Sequence, residues 1–209
     1  MPAILAFDSS AAHCAAALLL PDGTVLQRLE PMEKGQAERL VPFLQELLAA
    51  GGLDWTDLAA LAVGTGPGNF TGIRIAVAAA RGLSLGLGIP AIGITALEAR
   101  AYGLPRPLTV IEDARRGETY VQTFTAEGPG PARLVPAHAA PPPGALTGSA
   151  AGPQALPQPV PLAEAILRLA ARRLHQTGLP RPAPFYLRGA DAAPPSDPPP
   201  VILPDPALP

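Results

Sequence analysis

The sequence predicts an α/β protein of two lobes, the second reduced, and three observations carry that expectation. Residues 58–63 are a short apolar run that enters Gly66-Pro67-Gly68-Asn69-Phe70-Thr71-Gly72, and an Ala-rich segment follows to residue 87. A strand that turns on glycines and proline into a helix is a unit from which α/β folds are built. Three strand-like segments with short links precede this unit. A strand–loop–strand opening then recurs, more faintly, beyond Leu104-Pro105-Arg106-Pro107.

Taken in order, Ile4, Leu5, Ala6 and Phe7 form a first strand that ends in Asp8-Ser9-Ser10, and residues 15–20 form a second. Pro21-Asp22-Gly23 turns the chain into a third from Thr24, because Asp-Gly supplies the left-handed positions of a tight hairpin. Over residues 36–50, Leu40, Phe43, Leu44, Leu47 and Leu48 recur at three and four, which is an amphipathic helix. Gly51-Gly52 closes it, and Pro42 either kinks it or marks its first turn. After the glycine turn a second helix reaches residue 87, with Asn69 or Thr71 as its N-cap. Gly72, Ala76 and Ala80 lie on one line of that helix, followed by Gly82 and Gly86. Such a line suits packing on the helix's own sheet, or close approach of another helix. Residues 91–94 read as a strand, and Thr95 caps a helix to about residue 102.

The proline joint separates a first lobe, residues 1–104, from a second, residues 105–190. In the second, strands at 108–111 and 119–124 flank Asp113-Ala114-Arg115-Arg116-Gly117-Glu118. Residues 128–161 give no periodic signal. The last helix, over 162–177, puts Leu162, Ile166, Leu169, Ala170 and Leu174 on one face, and Pro184-Phe185-Tyr186-Leu187-Arg188 reads as a short strand or docking segment. A mobile tail is expected over 191–209. The order βββαβαβα, then a joint and a second start, fits the lobe plan of actin-like, ribonuclease-H-like folds.

Composition excludes several classes. With 15 basic against 17 acidic residues in 209, the chain is no strongly basic, free-standing nucleic-acid binder. All the basic residues but Lys34 are Arg, and Pro and Ala abound, so single Arg and Pro residues carry little functional weight. Every apolar stretch is interrupted by Gly, Pro or a charge, so none is expected to span a bilayer. Cys14 is the lone cysteine, which rules out an internal disulfide framework. A soluble cytoplasmic protein is expected.

Candidate chemistry gathers at two turns. In nucleotide-using members of actin-like folds, the acidic residue ending the first strand holds a metal or its water near the phosphates. Asp8 stands there, with Ser9 and Ser10 beside it and Gly66, Gly68 and Asn69 in the neighbouring turn as nucleotide-facing candidates. The same residues also suit a tight turn whose side chains satisfy backbone N–H groups. No Lys follows the glycines, so the GxxxxGK[ST] phosphate loop is absent. His13, His138 and His175 are scattered, no HExxH spacing occurs, and no metal site is expected. Cys14 next to His13 would point to the opposite face of a strand, so a buried structural thiol is expected. Asp113, Arg115 and Glu118 read as a structural ion-pair cluster. Arg74 lies in the first turn of a helix, where the dipole disfavours a cation; a carboxylate or phosphate, internal or external, would offset that.

The run Gly66-Pro67-Gly68-Asn69-Phe70-Thr71-Gly72-Ile73-Arg74-Ile75, with Phe7-Asp8-Ser9-Ser10, the DARRGETY run at 113–120 and Pro184-Phe185-Tyr186-Leu187-Arg188, resembles the TsaB (YeaZ) family. The resemblance covers most of residues 1–120 and returns at 184–188. The common form has Ser where Asn69 stands, and a capping side chain is kept. The resemblance implies a non-catalytic subunit, inactive alone, of the bacterial machinery that makes threonylcarbamoyladenosine at position 37 of tRNA. It implies pairing with TsaD, which transfers the threonylcarbamoyl group, docking of the ATPase TsaE, contact with tRNA through the complex, and a homodimer when the partner is absent. No cofactor is implied on this chain; ATP or ADP and a metal ion belong to the partners, and no membrane is involved. The partner-binding candidates are Leu40, Phe43, Leu44 and Leu47 on the first helix and Phe70, Gly72, Arg74, Ala76 and Ala80 on the second. An autonomous actin-like ATPase or phosphotransferase, with Asp8 on a metal, is the alternative.

Overall fold

The computed structural model describes residues 1–188. The expected tail at 191–209 lies outside the described residues. The chain opens on an antiparallel meander, β1 (Ala3–Asp8), β2 (His13–Leu19) and β3 (Val25–Pro31), and continues through α1 (Gln36–Ala50), a short 3-10 turn (Trp55–Asp57), β4 (Leu58–Gly64), α2 (Phe70–Leu87), β5 (Ala91–Ile94) and α3 (Ala96–Arg100). These strands form one sheet in the order β3-β2-β1-β4-β5, with β4 and β5 parallel to β1. Beyond the joint come β6 (Leu108–Asp113), β7 (Glu118–Phe124), β8 (Arg133–Pro136), β9 (Ala145–Thr147) and α4 (Leu162–Arg173). The second sheet has the order β8-β7-β6-β9, antiparallel except for β6 with β9. It repeats the first sheet up to its fourth strand, as an actin-like α/β fold does.

Most element spans follow from local chemistry. The side chain of Asn69 accepts from Gly72 N at 3.0 Å and starts α2, which decides between the two N-cap candidates. Gly88, with φ 68, ends that helix in the left-handed conformation. The side chain of Thr95 accepts from Glu98 N at 3.1 Å and starts α3, which stops at Arg100. Pro42 sits within α1, exposed, and does not end it.

Three expectations need correction. Residues 128–161, without periodicity, nevertheless contain β8 and β9; strands of four and three residues are too short to pattern against a proline-rich background. The lobes do not divide cleanly at residue 104, because α4 returns to cover the first sheet. Ala163, Ile166, Leu167 and Ala170 pack with Ile4, Ala6, Ala17, Ala62 and Ile94 there. And α2, at 18 residues with mean hydropathy 1.3, is long and apolar enough by length and composition to cross a membrane, since its arginines and glycines do not lower the average far enough. It packs instead on the opposite face of the first sheet.

On that face α1 and α2 bury Leu40, Phe43, Leu44, Leu47, Leu48, Ile73, Ala76, Val77 and Ala80 against Leu5, Phe7, Leu18, Leu61 and Val63. Each fully buried Leu or Phe side chain in this layer contributes roughly 1.5–3 kcal/mol. A third cluster joins α3 to the second sheet through Leu97, Ala101, Leu108, Val110, Tyr120 and Phe124.

Candidate functional site

The end of β1 and the start of α2 meet in one closed turn. Asp8 and Ser9 are fully buried and Ser10 nearly so. Oδ1 of Asp8 accepts from Ser10 N at 3.0 Å and from Ser10 Oγ at 2.9 Å. His13 Nε2 lies 3.2 Å from the same oxygen. Ser9 Oγ donates to Gly72 O at 2.8 Å, and Asn69 N donates to Ser10 O at 2.6 Å. The glycines serve this closure. A methyl group on Gly64 would overlap Asp8 Oδ2, and one on Gly72 would overlap the carbonyl of Ser9. At Gly68 it would come within 2.5 Å of Ser10 O. Gly66, at φ 90, lies over Ile73, and its carbonyl accepts from Ala96 N at 2.7 Å.

Asp8, Ser9, Ser10, Gly66, Gly68 and Asn69, taken above as nucleotide-facing, are therefore brought together but turned on one another. Their donors and close approaches are spent between two backbone segments, so they frame no opening for a phosphate. Oδ2 of Asp8 is buried without a partner, pressed against Gly64. Two cavities of about 210 and 570 Å3 lie away from this turn, one among Glu98, Tyr102, Phe124 and Arg172, the other over the second sheet beside Val121, Arg133, Val135 and Pro141. Cys14 faces the core as expected, with Sγ 3.7 Å from Met32 Sδ, and burial pushes its thiol up, away from the reactive thiolate.

The partner-binding candidates divide sharply. Leu40, Phe43, Leu44 and Leu47 of α1, and Gly72, Ala76 and Ala80 of α2, are buried in the chain's own core. As groups a second protein could touch they are withdrawn: an apolar stripe is claimed first by the sheet beneath it. Phe70 and Arg74 remain outside. Arg74 stacks over the Phe70 ring at 3.7 Å and its Nε donates to the Tyr186 hydroxyl at 2.9 Å, while the two rings lie 5.0 Å apart. The cation at the helix start is thus held by π-faces and a hydroxyl, with no carboxylate among the described residues. Tyr186 arrives on a segment without strand structure, anchored where Phe185 N donates to Thr65 O at 2.8 Å.

The outward sides of α1 and α2 carry what the sequence left unmarked. Leu85 is 84% exposed and Val41 and Phe70 42% each. Ala78, Arg81, Gly82 and Gly86 are exposed with them, and only 28% of α2 is buried. The 4-3-4 spacing of Arg74, Ala78, Arg81 and Leu85, opposite the buried line, is the signal that would have found this face. In the second lobe Glu118 of the expected ion-pair cluster pairs with Arg188, which lies outside that cluster and also donates to Ala114 O at 3.1 Å. Arg115 pairs with no acid among the described residues; its backbone N donates to Asp113 Oδ1 at 2.8 Å.

Comparison with known proteins places these features. Residues 30–132 match the family model described as TsaD: tRNA N6-adenosine threonylcarbamoyltransferase. The chain is 42% identical over 123 residues to the tRNA threonylcarbamoyladenosine biosynthesis protein TsaB of Escherichia coli, covering 56% of this chain and 52% of that protein. To the protein of the same name from Haemophilus influenzae it is 36% identical over 129 residues, covering 59% and 54%. The chain thus spans about half the length of the curated relatives it matches. Among solved structures, YeaZ from Pseudomonas aeruginosa superposes with a TM-score of 0.73 at 29% identity, over 90% of this chain and 100% of that one. These likenesses together support the TsaB (YeaZ) family for this chain.

Proposed function

We propose that the chain is a non-catalytic scaffold and activator in the formation of N6-threonylcarbamoyladenosine at position 37 of tRNA, working in the cytoplasm with TsaD and TsaE. The observation that carries this is the uncovered face of α2. The helix has a mean hydropathy of 1.3 over 18 residues, yet only 28% of it is buried; its Phe70 and Leu85 stand exposed, as does Val41 of α1. A monomer gains nothing by presenting such a face to water, whereas a like-shaped lobe of TsaD would cover it. In TsaD's absence a second copy of this chain would do so, as a self-complementary pair. Catalysis, nucleotide and metal are assigned to the partners, because the turn around Asp8 is closed on itself. tRNA is reached through the complex.

The test mixes the purified chain with TsaD and TsaE and scores complex formation and tRNA modification with each component omitted in turn. Modification is expected to need all three. Ala78→Arg and Leu85→Asp should abolish TsaD capture without altering the melting temperature of the chain alone. Turnover of ATP by the isolated chain, lost on Asp8→Ala, would overturn the scaffold and favour an autonomous ATPase.

A further inference from the structure

The outward seam of α2 is cationic as well as apolar. Arg74, Ala78, Arg81 and Leu85 follow one another at four, three and four residues and so lie along one strip of the helix. No Asp or Glu occurs anywhere in α2. Arg81 is exposed and makes no hydrogen bond or ion pair among the described residues. Arg74 has only the Phe70 and Tyr186 rings and the Tyr186 hydroxyl. Arg39 and Arg28 of the first lobe, by contrast, are paired with carboxylates: Arg39 with Glu30 and Glu46, and Arg28 with Glu46. Two uncompensated guanidiniums seven residues apart, with small and apolar side chains between and beyond them, make a pattern with a definite complement.

We propose that this seam recognises an acidic helix: a partner segment presenting two carboxylates about two turns apart, flanking an apolar contact with Ala78 and Leu85. The inference rests on the partner-binding role above and gives that surface its chemistry. Arg74 is preorganised for the task, because stacking on Phe70 and the Nε bond to Tyr186 hold its plane and leave the terminal Nη groups for a carboxylate. A second copy that lays its own α2 along the seam meets it less well. It brings the same two cations and no α2 carboxylate, so a twofold pairing along α2 doubles the buried positive charge instead of cancelling it.

The test uses the full chain and TsaD as the probe. Arg81 makes no hydrogen bond or ion pair among the described residues, so Arg81→Glu is the clean variant. TsaD capture should weaken about tenfold or more, and the double variant Arg74→Glu/Arg81→Glu should weaken it further. Arg81→Gln should cost less than Arg81→Glu, and wild-type association should slow as salt is raised while the double variant's does not. Leu85→Asp separates the two levels. If Leu85→Asp abolishes capture but neither arginine variant changes it, the acidic complement is wrong and the surface stands. If Leu85→Asp also leaves capture intact, the surface itself is wrong and this proposal falls with it. Arginine variants that disrupt only the chain's self-association, with TsaD capture unchanged, would assign the seam to a second copy and overturn the acidic partner.

Discussion

In the first lobe the pair β1–β2 turns after Asp8; in the second, β6–β7 turns after Asp113. Each aspartate ends the first strand of its sheet, and each accepts from the backbone N–H two residues on, Ser10 N at 3.0 Å and Arg115 N at 2.8 Å. There the likeness ends. The first turn is buried under the start of α2, which seals it through Asn69 N and Gly72 O. The second sheet has no such helix of its own among the described residues, because after β9 the chain goes back to the first sheet as α4. Its turn stays open, with Arg115, Arg116 and Gly117 all at positive φ, 60, 53 and 73. One repeat thus became a rigid corner that launches α2, and the other an exposed loop. What separates them is whether a helix closes the layer.

The widest contrast is between two glycines. At Gly72 an added methyl group meets the Ser9 carbonyl, backbone against backbone, which cannot yield cheaply. At Gly117 nothing lies within 4 Å, and only the left-handed φ resists. Gly72→Ala should therefore cost more than about 4 kcal/mol, enough to leave little folded protein, while Gly117→Ala costs about 1 kcal/mol. Urea melts of the two variants decide this. Comparable losses would mean that the two turns are equally tolerant and the corner is not rigid.

The aspartates come next in size. Asp8→Ala leaves Ser10 N, Ser10 Oγ and His13 Nε2 without their acceptor in a buried place, for a loss of about 2–3 kcal/mol. Asp113→Ala removes one exposed contact and should cost less than about 1 kcal/mol. Thermal unfolding of both variants, with far-UV spectra to confirm the fold, measures the difference. A smaller effect goes the other way. Arg115 is a non-glycine residue in the left-handed region, so Arg115→Gly should raise stability by about 1 kcal/mol at most, and the same melts would show it. A loss on Arg115→Gly would mean that its side chain has a structural role the open turn does not suggest.

Much of this architecture is legible in the sequence where periodicity is strong. The spans of α1, β4, α2 and β5 follow from Leu and Ala spacing and from the capping atoms of Asn69 and Thr95. The direction in which a helix faces is harder. Leu40, Phe43, Leu44 and Leu47 form the one apolar stripe of α1, and a single stripe cannot serve both its own sheet and a second protein; the core takes it. Gly72 likewise belongs to the seal over Ser9 rather than to an interface. Contacts distant in sequence gave no local sign at all. Glu118 with Arg188, 70 residues apart, and α4 on the first sheet are set by topology alone. Arg74 was legible as an oddity, a cation at a helix start, but its answer, Phe70 and Tyr186, lay 112 residues away in part.

The smallest expected effect is set by the charges on the outer rim of the first lobe, where the pH dependence of stability should differ from that of the second. Glu46 accepts from Arg39 Nη1 at 2.6 Å and Nη2 at 2.9 Å and lies 2.5 Å from Arg28 Nη1. These bonds, chiefly those from Arg39, pull its carboxyl down to about 2. Glu30 is lowered by the same guanidinium. A carboxyl that is more acidic in the folded chain contributes stability at pH above its ordinary value of 4.5, and loses it as pH falls toward 2. The gap in melting temperature between wild type and Glu46→Gln should therefore be full at pH 7, shrink below about pH 4.5 and close near pH 2. It should be modest throughout and shrink in high salt, because the group is exposed. Arg115→Gly, which changes backbone strain and no ion pair among the described residues, should shift stability equally at every pH in that range. If instead the Glu46→Gln gap is independent of pH, the Arg39 cluster holds α1 to β3 by packing of the guanidinium on Phe43, 5.7 Å from its ring centre, and its charge is incidental.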